Sequence, residues 1–281
     1  MTSRNIGDLE RNKFFAGDVS DGPFSLAQCS DHFFSIAKGV SGYSYINKFG
    51  RVVGASTSMI DVTDLATPAV YAWLTTASKL EAISSSANDT ADGSGARTII
   101  VEGLDANFEE ISETITMAGL SASTATTNSF IRVHRAYIAT SGSYATTSTG
   151  SHAGNITIRL ASAGATQIYL RASASQVGQS FVSRYTIPAN KTGYLMHAFC
   201  SVDSNKSGTF WLWRRLSADV TSAPFGAKRA IDIFDGIKQP FERTWTTPIK
   251  LEEKTDIWFS LISAGADTNA SAAFDILLVD N

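Results

Sequence analysis

Charge is scarce in this chain. Of 281 residues only 17% are Asp, Glu, Lys or Arg, and 23 basic side chains nearly cancel 26 acidic ones, leaving a formal net charge of −3. That balance lacks the broad positive field that draws a protein to phosphate, so nothing points to nucleic acid as a partner. Cysteine is scarcer still. Cys29 and Cys200 are the only two, too few for a disulfide framework and without the Cys-x-x-Cys spacing of a metal site. Two free, buried thiols in a reducing compartment are the expectation. No uncharged apolar run approaches the roughly 20 residues of a membrane span, and the opening MTSRNIGDLERNKFF has no signal-peptide core. A soluble protein made in the cytoplasm is expected. The sequons at Asn88, Asn155, Asn190, Asn205 and Asn269 are then chance products of a Ser/Thr-rich chain.

Reactive motifs are missing too. His32, His134, His152 and His197 are far apart, with neither the His-x-x-x-His nor the His-Glu-x-x-His spacing that zinc needs. His134 and His197 fall within strands and read as hydrogen-bonded structural imidazoles. No Gly-x-Ser-x-Gly elbow occurs, and Ser35-Ile36-Ala37-Lys38 matches Ser-x-x-Lys only by accident of composition. Carboxylates cluster at Asp61 and Asp64 and at Glu109, Glu110 and Glu113. A glycosidase would need two of them facing across a cleft at roughly 5–10 Å. Solvated faces and turns account for them better. Asp89-Thr90-Ala91-Asp92-Gly93 lacks the acidic spacing and closing Glu of a calcium loop and reads as a turn. No catalytic, cofactor-binding or metal residue is expected, and no cofactor.

What fills the chain is small and polar, with 43% hydrophobic residues set among Ser, Thr, Ala and Gly. The β signal begins near residue 70 with an apolar segment at Val70–Leu74 and a short strand over 79–84. Residues 85–95, SSANDTADGSG, form a turn cluster. RTIIVE (97–102) is a strand by its β-branched content. FEEISETITM (108–117) alternates, with Ile111, Glu113, Ile115 and Met117 on one side and Glu113 as the polar intruder. A helix over EEISET is the rival reading. Further strands fall over 129–139, 155–160, 166–171, 181–187, 193–202, 208–216, 242–251, 256–263 and 273–279, with a hairpin at Gly164-Ala165 and Pro188 closing one run. Roughly a dozen strands at turn-spaced intervals make the chain all-β. The expected fold is a jelly-roll-like β-sandwich over 59–281 with an irregular N-terminal arm over 1–58. One continuous sandwich is preferred, with a weaker break within 139–153.

The aromatics carry the interaction signal. Phe14-Phe15 and Phe33-Phe34 give the arm anchors that it cannot bury alone, so either it packs on its own body or it docks on a neighbouring subunit. Trp211 and Trp213 sit two apart on a strand and share a face, with Phe210 and Leu212 on the other. That strand is therefore covered twice, by the sandwich core and by a loop, the arm, a subunit interface or a sugar ring. Trp245 and Trp258 are the candidates for stacking on a sugar.

GARTIIVEGLDANFEEISETITMAG (95–119), TTNSFIRVHRAYI (126–138) and YTIPANKTGYL (185–195) resemble strand-loop-strand segments in virion structural proteins of tailed phages, of the marine and cyanobacterial type. The resemblance spans roughly residues 70–200 and names no catalytic residue. It implies a non-enzymatic particle component: a capsid decoration or cement protein, a neck component or a tail-associated protein. Its partners would be other virion proteins and copies of itself, a trimer being the expected state, with neither nucleic acid nor membrane involved. Its place would be the virion, after synthesis in the host cytoplasm. A receptor- or carbohydrate-binding module of a phage tail is the alternative, and a glycan hydrolase a more distant one.

Overall fold

The computed structural model describes residues 36–37, 39–148, 150–172, 178–203 and 205–281. The chain divides after Tyr45, and residues 46–281 form one compact unit. In chain order the strands are β1 (Tyr43–Ala55), β2 (Ile60–Asp61), β3 (Leu80–Ser84), β4 (Ala96–Leu104), β5 (Glu110–Thr116), β6 (Arg132–Ser141), β7 (Ile156–Leu160), β8 (Thr166–Leu170) and β9 (Arg184–Thr186). There follow β10 (Lys191–Val202), β11 (Gly208–Arg215), β12 (Lys228–Ile237), β13 (Phe241–Leu251), β14 (Asp256–Ser263) and β15 (Thr268–Asp280). A single helical turn, α1 (Tyr144–Thr147), sits in the loop after β6.

Eight of these strands make a jelly roll. One sheet has the order β1-β15-β10-β13 and the other β12-β11-β14-β2. Each successive pair (β1 and β2, β10 and β11, β12 and β13, β14 and β15) is split between the two sheets, which is the wrapping that defines this fold. Alternation drives it. Every second residue of β15 is buried, so Phe274, Ile276 and Leu278 meet Phe210, Phe259 and Leu261 of the facing sheet in one core. Each such side chain contributes about 1.5–3 kcal/mol by leaving water. Cys200 lies in this core as a free thiol, and burial pushes it up to about 12, which keeps it protonated and unreactive.

Residues 62–190 are inserted between β2 and β10. Strands β3-β7-β8 form one three-stranded sheet of the insertion and β5-β4-β6 another. Leu80, Ile99, Val101, Phe130, Ile158 and Ile168 belong to its own separate core. The outgoing and returning chains of the insertion pair with each other, Asp64 N–H donating to Phe181 O at 2.9 Å around the Thr63–Val182 bridge. The returning strand β9 then joins the edge of β14 beside β2. Gly50 of β1 is needed here: a Cβ on it would lie 2.1 Å from Val62 O and 2.4 Å from Ser183 N.

The expected strands from 79 to 263 are present, and FEEISETITM is the strand β5, not a helix. Its intruder Glu113 is held by the N–H groups of Thr127 and Asn128 at 2.6 and 2.9 Å. The departures have physical causes. Part of the segment read as an irregular arm is the long strand β1, whose inward positions include Lys48 and Gly50, so that no apolar alternation marks it. Strand β12, KRAIDIFDGI, escaped notice because it is a mostly exposed edge with charge on both faces. Val70–Leu74 is irregular. The strands of 59–281 divide between the jelly roll and an insertion with its own core, an arrangement set by long-range pairings that local pattern does not encode.

Candidate functional site

Buried charge gathers along the seam where the inserted unit meets the jelly roll. At its centre is Asp256, fully buried at the start of β14. Its Oδ1 accepts from Arg132 Nε at 3.0 Å and Thr186 Oγ1 at 2.6 Å, and its Oδ2 from Arg132 Nη2 at 3.2 Å and Arg215 Nε at 3.0 Å. Arg132, itself 1% exposed, spends its remaining donors on the carbonyls of Leu74 and Ile131 at 2.9 and 2.8 Å and of Ala218 at 3.4 Å. Its guanidinium lies 5.1 Å from the Trp73 ring centroid and 5.3 Å from that of Phe108. One carboxylate thus ties β6 and β9 to β11 and β14.

Arg184 is the second buried guanidinium. It donates to Thr63 Oγ1 at 2.8 Å and Gln167 O at 2.7 Å, and lies over the Tyr71 ring at 3.6 Å. Asp61 accepts from Ser260 Oγ at 2.7 Å and the Tyr71 N–H at 2.8 Å, and burial raises its carboxyl above the usual carboxylate range. Asp64 accepts from Arg171 Nε at 2.9 Å. The pair Asp61 and Asp64 is therefore engaged in internal bonds. Asp89, the acid of the presumed turn, is fully buried and accepts from Ser84 Oγ and the N–H groups of Ala96, Ala153 and Gly154 at 2.6–2.8 Å. That is a carboxylate clamping two loops. Among the described residues no group of three or more His, Cys, Asp or Glu is placed to hold a metal, and no helix is long and apolar enough to cross a membrane.

The tryptophans named from the sequence sit as follows. Phe210 and Leu212 face the jelly-roll core, and Trp211 and Trp213 the opposite side of the sheet. Trp213 stacks on Trp258 at 6.3 Å, and Trp73 meets the same Trp258 edge-on at 5.4 Å. Trp258 is thus 3% exposed, sealed between two indoles, and offers no open face to a sugar. Trp211 is half-buried opposite Ile233 of β12, which is 47% exposed. Trp245 packs partly on the core. Phe14, Phe15, Phe33 and Phe34 lie outside the described residues, as does Cys29.

Exposed apolar side chains also occur on β12 and β13 of the jelly roll. These two strands end their sheets, drawn together by the Phe234 and Phe241 rings at 5.4 Å and by Arg243 and Asp232 at 3.5 Å. Ile233 of β12 and Phe241 of β13 are exposed, as is Phe225 before β12.

No family model and no curated protein matches this chain. Among solved structures it is similar to a structure of infectious bursal disease virus Gx strain, at 9% identity over 92% of this chain and 75% of that one with a TM-score of 0.25. It is also similar to infectious bursal virus derived T=1 particles, at 9% identity, 86% and 70% coverage and a TM-score of 0.26. A Yersinia pseudotuberculosis-derived mitogen matches 33% of this chain and 80% of its own at 12% identity, with a TM-score of 0.18. Likenesses this slight carry no argument about what the chain does.

Sequence reasoning missed the seam. Arg132, Arg184, Lys48 and Asp256 carry no local signature, and nothing in the sequence marks Trp73 and Trp258 as members of one buried aromatic cluster.

Proposed function

We propose that this chain is a non-enzymatic structural component of a virion that acts by assembling with other virion proteins and with copies of itself. The observation that supports this reading is that, among the described residues, β12 and β13 each end a sheet of the jelly roll, with Ile233 and Phe241 exposed on them. Open edges of this length with exposed apolar side chains are the surfaces through which β proteins associate. The carboxylates of the seam, Asp61, Asp64 and Asp256, are each engaged by internal donors, which favours a scaffold over a reactive centre. The resemblance of residues 95–119 to tailed-phage proteins refines the proposal to a capsid decoration, neck or tail-associated protein. The segment that precedes β1 would supply the attachment, with Phe14, Phe15, Phe33 and Phe34 as anchors and a trimer as the assembled state.

Particles purified from the host that carries this sequence test the proposal. Mass spectrometry and antibody labelling in the electron microscope should find the chain on the particle at fixed copy number. Its absence from particles, with the protein abundant in the lysate, would sink the proposal. Ile233→Lys should leave the fold intact, since the side chain is exposed, and reduce incorporation about tenfold or more by placing an unpaired charge in the buried contact. Truncation of the arm must stop before β1. Removing residues 1–35 is expected to leave a folded body that no longer joins the particle. Removing 1–58 takes away a jelly-roll strand and should prevent folding.

A further inference from the structure

Where β6 of the inserted unit crosses β1 and β9, the interior holds cations with little acid to balance them. Lys48 of β1 is buried, and its Nζ donates to the carbonyl of His134 at 2.7 Å. Among the described residues no carboxylate comes within ion-pair distance of it. His134 is buried as well, and its Nε2 accepts the backbone N–H of Thr186 at 3.1 Å. That nitrogen must be unprotonated, because a protonated ring nitrogen is a donor with no lone pair to offer. The imidazole lies 4.3 Å from the Tyr185 ring, and the Tyr185 hydroxyl is buried with no hydrogen-bond partner among the described residues. The charged groups around the pair are Arg132 and Arg135 from β6, Arg184 from β9, and Glu102 from β4, with Glu110 of β5 bearing on Tyr185. Arg132 is already answered by Asp256. Asp61 of β2 opposes Arg184, and Glu102 opposes Lys48.

We propose that this seam is an acid-operated latch. Protonation of His134 breaks its bond from the Thr186 N–H amid fixed cations and releases β6 from β1 and β9, while the jelly-roll core stays folded. The proposal does not depend on what the chain assembles with.

The direction follows from linkage. Burial first, then Lys48, Arg184 and Arg132, hold the closed-seam imidazole well below its ordinary 6.5. Once open, the ring recovers that ordinary value. The open state therefore binds one more proton below about pH 6.5, and each further pH unit favours opening about tenfold until the closed form itself protonates. Lys48 acts with the same sign at higher pH. Burial, with Arg135 next, brings it from 10.5 down to about 7, so its contribution is lost between about pH 10.5 and 7 and is constant below. The transition on the acid side belongs to His134.

Hydrogen exchange of the full chain between pH 8 and pH 5 tests this. After correction for intrinsic rates, peptides covering 130–138 and 181–187 should gain exchange about tenfold per pH unit below about pH 6.5. Peptides covering 191–202 and 208–215 should hold. His134→Gln keeps an acceptor for the Thr186 N–H and does not titrate, so it should abolish the acid opening. Wild-type seam peptides equally protected at both ends of the range, or an opening that persists in His134→Gln, would overturn the latch. Should that variant not fold, a nuclear magnetic resonance titration of the wild-type ring decides: a neutral His134 at pH 6 supports the proposal, and a protonated one overturns it.

Discussion

Asp256→Asn is expected to lower the unfolding free energy by about 3–5 kcal/mol, the cost of leaving buried charge unanswered. The wild-type carboxylate is fully buried and faces two guanidinium groups, those of Arg132 and Arg215. Asparagine fills the same space but removes the negative charge and turns one acceptor into a donor aimed at cations. Arg132 has no solvent to retreat to, and its other partners are neutral carbonyls. Urea denaturation followed by tryptophan fluorescence reads the change, since Trp73 lies against both arginines. Thr186→Val removes only one hydroxyl bond to the same carboxylate and should cost about 1 kcal/mol. A loss from Asp256→Asn no larger than that would mean the charge cluster does not hold the two units together.

Asp89→Ala should be of similar size, about 4 kcal/mol, and more local. The side chain answers three backbone N–H groups and one hydroxyl, and each buried donor left without a partner costs about 1–3 kcal/mol. All four belong to the inserted unit, Ser84 and Ala96 at strand ends and Ala153 and Gly154 in a loop, and that unit has its own hydrophobic core. Hydrogen exchange should therefore show protection lost over 80–84, 96–104 and 156–160 while β10 and β11 keep theirs. Uniform loss across both units would show that the insertion and the jelly roll unfold as one.

The two substitutions also mark how much of the molecule was legible. The turn at 85–95 could be read from its Asn, Asp and Gly content. That the Asp89 carboxylate reaches across to Ala153 and Gly154 could not be read, since those residues lie more than sixty positions away. Strands β4, β7, β10 and β14 were plain because burial alternates along them or fills both faces. β12 was not, because an exposed edge imposes no apolar period on its sequence. Trp211 and Trp213 were correctly placed opposite Phe210 and Leu212, but Trp258, offered as open to sugars, proved to be the filling of an indole stack.

By itself the sequence determined the class of this protein. Side chains alternate with period two, breakers fall at turn spacing, and both are local consequences of backbone geometry. Only the tertiary structure decided that strands from both ends of the chain close one jelly roll around a second unit, and that Arg132 meets Asp256 and Lys48 meets His134. Those choices rest on pairings between residues distant in the chain, where burial and charge compensation are settled by the whole fold and leave no local trace.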